Sequence, residues 1–150
     1  MVYRPVLPFL VVLAVSTSAG CVATISTIGG HDQAEIDHWA AEARDECAQR
    51  TGQTPTYLFT TDGCTLSPDC TWQSCCVEHD KTYWCGGSAE DRARADRKLR
   101  DCIAASGGPR VAPIMYGGVR VFGSPWLPAY WRWGYGWRWP RGYVEDPPAR

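Results

Sequence analysis

Apolar positions recur at helical spacing in the middle of this chain and lose that rhythm in its last third. Between Asp32 and Arg50, the residues Ile36, Trp39, Ala40, Ala43 and Cys47 lie three or four positions apart, which lines them along one face of a helix. Thr51 to Thr61 carries Gly, Pro and Thr clusters and reads as loop or short extended chain. A second helix is predicted from about Thr71 to Trp84, ended by Gly86-Gly87. Ser88, with Asp91 three residues later, has the form of a capping box that opens a third helix running to about Ala105, where Gly107-Gly108-Pro109 stops it. Seven of the eleven prolines and eight of the fifteen glycines lie beyond residue 106, so long regular elements are not expected there, and Gly118 to Gly123 reads as a brief strand. The pattern predicts a mainly α fold: three helices followed by an irregular Pro/Gly/Trp-rich tail.

A length of 150 residues suits one domain. A formal charge of -1 gives no basis for nucleic-acid binding. The charge is unevenly spread. Cys21 to Ser106 holds fourteen acids and eight bases, a net of -6, while Gly107 to Arg150 holds six arginines and two acids, a net of +4. The first suits cations and the second anionic surfaces.

Eight cysteines in so short a chain point to an oxidising compartment unless they hold a metal. The N-terminus points the same way: Arg4, then an apolar run of ten residues from Val6 to Val15, then small polar residues to Gly20, the layout of a secretory signal. Ser18-Ala19-Gly20-Cys21 also resembles a bacterial lipoprotein signal, in which Cys21 would be acylated and become the first mature residue. Ser18 departs from the bulky aliphatic residue usual there, and lipidation would leave seven cysteines, an odd number. Export from the bacterial cytoplasm follows either way, to the cell envelope by a lipid anchor or to the medium. The expected organisation is a signal peptide over 1–20, a linker over 21–31, a helical domain over 32–106 and a basic aromatic segment over 107–150.

Between Trp126 and Tyr143, eight of eighteen residues are Trp or Tyr, with Arg132, Arg138 and Arg141 interleaved. Such rings suit a membrane–water interface, and the arginines suit anionic headgroups. The same rings could equally cover the helical core or attach to another surface.

The chemistry concentrates in Cys75-Cys76-Val77-Glu78-His79-Asp80-Lys81-Thr82-Tyr83. On a helix Cys75, His79 and Tyr83 share one row, and Cys76, Asp80 and Trp84 the next. On the third helix Asp96, Leu99 and Cys102 to Ile103 share a face, and the short Cys85-Gly86-Gly87 turn makes the two helices antiparallel neighbours. His79 can then take a proton from water while Asp96 fixes its tautomer and steadies the imidazolium. Asp80 is left for another task. A hard cation such as Ca2+ wants carboxylate and carbonyl oxygens, and the loop Thr61-Asp62-Gly63-Cys64-Thr65 offers both.

CCVEHDKTY resembles the active-site helix of secreted phospholipase A2, whose pattern is Cys-Cys-x-x-His-Asp-x-x-Tyr, and TDGCTLSPD, from Thr61 to Asp69, is similar to the calcium loop of that family's bacterial branch. The likeness spans about Thr60 to Ile103, some 44 residues. It implies a phospholipase A2-like core with His79 as general base, Asp80 as a bidentate Ca2+ ligand, a side-chain oxygen from Asp62 and a main-chain carbonyl from Gly63. It further implies Asp96 as the orienting carboxylate, Tyr83 as its hydrogen-bonded support, and the disulfides Cys64–Cys76 and Cys75–Cys102. Cys47, Cys70 and Cys85 fall outside those pairs. Cys47–Cys85 is the expected bond among them, leaving Cys70 for Cys21 or, if Cys21 is lipidated, unpaired. The implied activity is Ca2+-dependent hydrolysis of a glycerophospholipid acyl ester, on a phospholipid surface of anionic character.

Each assignment has a plainer competitor. His31 and His38 read as ordinary surface or core residues. His79 could persist in an inactive descendant, and Asp80 could pair with Lys81. Asp91 and Asp101 compete with Asp96, and Asp62 could serve only as the turn residue before Gly63. Zinc could draw on Cys70, Cys75, Cys76, His79 and Cys85, which crowd into sixteen residues, though without the paired knuckles of a tetrahedral site. At the level of the whole chain, the rivals to an enzyme are a non-catalytic lipid-binding lipoprotein of the envelope and a coat or attachment module.

Overall fold

The computed structural model describes residues 32–64, 70–127 and 143. The expectations placed on the signal peptide, the linker, Cys21, residues 65–69 and most of the aromatic segment lie outside them. The described residues form four helices: α1 (Gln33–Thr51), α2 (Gln73–Cys85), α3 (Ala89–Ala105) and α4 (Ala112–Phe122). The chain is mainly α, and among the described residues no helix is long and apolar enough to cross a membrane.

Local chemistry sets the limits of the first three. Asp32 caps α1 by accepting the Ala34 N–H at 3.3 Å, and Gly52, at φ 70°, ends it by returning its N–H to Ala48. The buried face of α1, Ala43 and Cys47 with Trp39 and Ala40 beside them, packs on Phe59, Trp84 and Cys85. Gly86 and Gly87, at φ 79° and 144°, make the tight reversal after α2. At Ser88 both halves of the expected capping box are present: Ser88 Oγ accepts the Asp91 N–H at 3.1 Å and Asp91 Oδ2 accepts the Ser88 N–H at 3.0 Å.

The α2/α3 pair is antiparallel, as the contacts along it show: Cys75 is bonded to Cys102, His79 meets Asp96 and Tyr83 meets Arg92, with numbers rising on one helix as they fall on the other. The disulfides Cys47–Cys85, Cys64–Cys76 and Cys75–Cys102 all form as expected, stapling α1, the 61–64 loop and α3 to α2. Cys70 is also disulfide-bonded; Cys21, its expected partner in the non-lipidated form, lies outside the described residues. Lys81, almost wholly buried, pairs with Glu42 of α1 at 2.7 Å and Glu78 at 2.6 Å rather than with Asp80.

The tail departs from expectation at its start. Residues 118–123, read as a brief strand, belong instead to α4 and its C-cap. Val111, Ala112, Met115 and Val119 recur at helical spacing and pack on Leu99, Ile103 and Trp72. Pro113 sits in the first turn, where it costs no hydrogen bond. Burial of that face outweighs the poor helix propensity of Gly117 and Gly118. The hydrophobic core thus continues past residue 106.

Candidate active site

His79 and Tyr83, one turn apart on α2, present their rings to the same side, with centroids 4.1 Å apart. Asp96 comes up from α3 with its side chain fully buried. Its Oδ1 lies 2.8 Å from His79 Nε2 and accepts the Tyr83 hydroxyl at 2.7 Å. Its Oδ2 accepts Arg120 Nη1 from α4 at 2.6 Å. A carboxylate that also receives the Tyr83 and Arg120 donors is an acceptor only, so Nε2 of His79 carries a proton toward it, and in the neutral imidazole the lone pair is on Nδ1.

The surrounding charges favour an ionised Asp96 and proton uptake by His79. Burial raises the Asp96 carboxyl, but its bonds from His79, Arg120 and Tyr83 more than reverse that and hold it below the usual carboxylate value. Burial likewise lowers the affinity of His79 for a second proton, while Asp80 and Asp96 outweigh it and leave the imidazole more basic than usual. Tyr83, buried beside the Asp96 charge, is held firmly protonated and so remains a donor.

Asp91 and Asp101, the competing carboxylates, have other work. Asp91 caps α3, and Asp101 is exposed beside Arg100 at 2.8 Å. His38, mostly exposed, faces Glu42 at 3.3 Å. Cys70, Cys75, Cys76 and Cys85 are all in disulfides and supply no thiolate for zinc.

Next to His79, on the adjacent row of α2, Asp80 turns toward the 61–64 loop. Its Oδ2 accepts the Thr61 hydroxyl at 2.7 Å, and Thr61 Oγ1 accepts the Gly63 N–H at 3.0 Å. Gly63 holds φ 74°, and the Cys64–Cys76 bond fixes the loop to α2. Asp80 Oδ1 is 4.0 Å from His79 Nδ1, the ring nitrogen not bound to Asp96. Burial above all raises the Asp80 carboxyl, and the exposed Asp62 adds a like charge. Two carboxylates that repel each other, beside a loop rich in carbonyls, fit a hard divalent cation in charge and donor type. Among the described residues no three His, Cys, Asp or Glu side chains gather closely enough to hold a metal by themselves. A cation there would therefore rely on main-chain oxygens.

A cavity of about 40 Å³, room for a few waters, lies between α2 and α3 and is walled by His79, Thr82, Leu99 and the Cys75–Cys102 bond among others.

Two residues of this network escape the sequence reading. Arg92 Nε donates to the Tyr83 hydroxyl at 3.0 Å, its Nη2 reaches the carbonyls of Val119 and Arg120 at 2.7 and 2.8 Å, and its Nη1 donates to Tyr143 of the aromatic segment at 2.9 Å. Its signal was present: four residues before Asp96, it shares that residue's helical face. Arg120 is the other, and only the Val111, Met115, Val119 spacing could have placed it. No family model, curated protein or solved structure matches the chain.

Proposed function

We propose that this protein is a phospholipase A2-like carboxylic ester hydrolase that cleaves an acyl ester of a glycerophospholipid with the help of Ca2+. The observation that carries the reading is the buried His79–Asp96–Tyr83 network, whose second imidazole nitrogen, Nδ1, faces the Asp80 side of α2.

His79 Nδ1 takes a proton from water as the oxygen attacks the ester carbonyl, and the imidazolium that results is steadied by Asp96 across the Nε2–H bond. The same proton then passes from Nδ1 to the leaving glycerol oxygen, so that a fatty acid and a lysophospholipid depart and His79 is again neutral. Asp80, Asp62 and the Gly63 carbonyl would hold the cation, which when bound supplies a Lewis acid for the carbonyl oxygen. Tyr83 and Arg92 keep Asp96 aimed throughout.

The test is fatty-acid release from mixed phosphatidylglycerol and phosphatidylcholine vesicles by the oxidised chain, in Ca2+ or excess chelator, beside His79→Ala. Release that needs Ca2+ and disappears in the variant supports the assignment, and Asp80→Asn should then lower the apparent Ca2+ affinity. Equal release in chelator, or from His79→Ala, sinks it. A second reading, a lipid-surface protein without turnover, draws on the exposed Ile114, Val121 and Phe122 of α4 and on Trp126. It predicts binding to anionic vesicles, weakened by salt, with no product.

A further inference from the structure

Asp96 is clamped from both sides, and one side of the clamp comes from the C-terminal helix. Its Oδ1 is engaged by two α2 side chains, and its Oδ2 by Arg120 at 2.6 Å, whereas Arg92 Nε stands at 3.9 Å from the same oxygen. Arg120 is thus the guanidinium in direct contact with a carboxylate that has no exposure to water. Its own backbone is held in turn, because Arg92 donates to the Arg120 and Val119 carbonyls near the end of α4. The bonds close a ring: Arg92 to Tyr83, Tyr83 to Asp96, Asp96 to Arg120, and Arg120 back to Arg92.

A carboxylate held only at Oδ1 could swivel about its Cβ–Cγ bond toward Arg92. Donors pulling on opposite oxygens remove that freedom, and with it the freedom of the His79 ring that Oδ1 orients. We infer that Arg120 is a positioning residue of the active site: it locks Asp96 so that Oδ1 stays aimed at His79, and α4 is thereby part of the catalytic machinery. This rests on the hydrolytic reading above. Arg120 acts through Asp96, so its loss should lower kcat and leave KM nearly untouched.

The experiment compares the full chain with Arg120→Lys, Arg120→Gln and Arg120→Met on the same vesicles. Lys keeps the charge, Gln keeps a donor without charge, and Met keeps neither. The expected kcat order is wild type, Lys, Gln, Met, with Met down by about tenfold to a hundredfold and KM within about twofold throughout. If Met leaves Asp96 too poorly paired to fold, Gln decides. A folded Gln or Met variant with wild-type kcat, or a loss confined to KM, overturns the inference.

A second readout needs no turnover. The His79 Nε2 proton, sealed against a buried carboxylate, should give a downfield proton NMR resonance. That resonance should broaden away in Arg120→Gln and return in Arg120→Lys, because the shorter amide uncovers Oδ2 to water. An unchanged resonance in a folded Gln variant also overturns the role of Arg120. A wild-type chain that shows the resonance but releases no fatty acid overturns the hydrolytic reading instead, and the variants' spectra still decide the positioning role.

Discussion

Tyr83 and His79 share one oxygen: Asp96 Oδ1 accepts the phenol at 2.7 Å and faces the imidazole Nε2 at 2.8 Å. With Arg120 on Oδ2, both oxygens of this buried carboxylate must act as acceptors. Asparagine has a single acceptor oxygen and an NH2 group that only donates. In Asp96→Asn the amide oxygen stays with Arg120 and the NH2 faces His79 and Tyr83, so Nε2 must accept and the imidazole proton moves to Nδ1, the atom the proposed mechanism needs as base. We expect a folded protein destabilised by about 1–3 kcal/mol and slowed by about a hundredfold or more. Chemical denaturation and vesicle hydrolysis would check the two parts; hydrolysis at the wild-type rate would remove Asp96 from the mechanism.

The register of α2 against α3 depends on a covalent bond as well as on packing. Cys75 and Cys102, separated by 27 residues, are joined one turn from His79 and nearly two turns from Asp96. Opening that loop frees the unfolded chain and should reduce stability by about 2–4 kcal/mol. The double variant Cys75→Ala/Cys102→Ala is therefore expected to melt earlier. It should also lose activity at temperatures where it is still folded, because the His79–Asp96 distance is then held by packing and the Asp96 hydrogen bonds without a covalent staple. Melting curves and initial rates on the same samples separate the two effects, and an unaltered rate below the transition would show that Leu99 and Ile103 suffice to keep the register.

Much of this architecture could be read from the chain, because its determinants are local. The spacing of Ile36 to Cys47, the Ser88/Asp91 box and the Gly86-Gly87 reversal act within a few residues, and the three helices begin and end within two residues of expectation. Cys75, His79 and Tyr83 form a row by helical geometry alone. What escaped was set by tertiary contact. Gly117 and Gly118 depress local helix propensity, and α4 exists because Val111, Met115 and Val119 find a core to cover. Arg120 could not be linked to Asp96 until that helix was known, and Asp96 could be told from Asp91 and Asp101 only by what each one touches.

The glycines of α4 make a prediction with two signs. A Cβ at Gly117 or Gly118 meets nothing within 4 Å. Replacing either with Ala should stabilise the protein by about 0.5–1 kcal/mol, since glycine inside a helix carries an entropic cost and nothing obstructs the methyl group. Gly123 is the reverse case: a Cβ there would lie 2.6 Å from the Val119 carbonyl and 2.7 Å from the Tyr83 hydroxyl. Gly123→Ala must push Tyr83 or the end of α4 aside, at about 1–3 kcal/mol, and should lower activity by disturbing the bond from Tyr83 to Asp96. Thermal melts of the three variants test the signs, and a Gly123→Ala protein as stable and active as the parent would contradict the close packing around Tyr83.

Acid should unfold the protein through Asp96 and Asp91. Asp96 is pushed up by burial and pulled further down by His79, Arg120 and Tyr83, so its carboxyl titrates below the ordinary 3.8. Asp91 is also depressed, its burial outweighed by Ser88, Arg94 and Arg50. A depressed carboxyl binds its proton more weakly when folded than when unfolded. Its contribution to stability is complete above the ordinary value and is lost as pH falls through the lower folded one. The share of stability that Asp96 and Asp91 supply should therefore be complete down to about pH 5 and be lost below about pH 4, against a gain as the raised His79 and Asp80 take up protons. Asp96→Asn, which has no such proton to take up, should start from a lower melting temperature and lose less of it over the same interval, and Asp91→Asn should behave likewise with a smaller change, its carboxylate being partly exposed. If Asp96→Asn and the parent fell in parallel between pH 4 and pH 2, protonation of the Asp96 clamp would not be what opens the fold in acid.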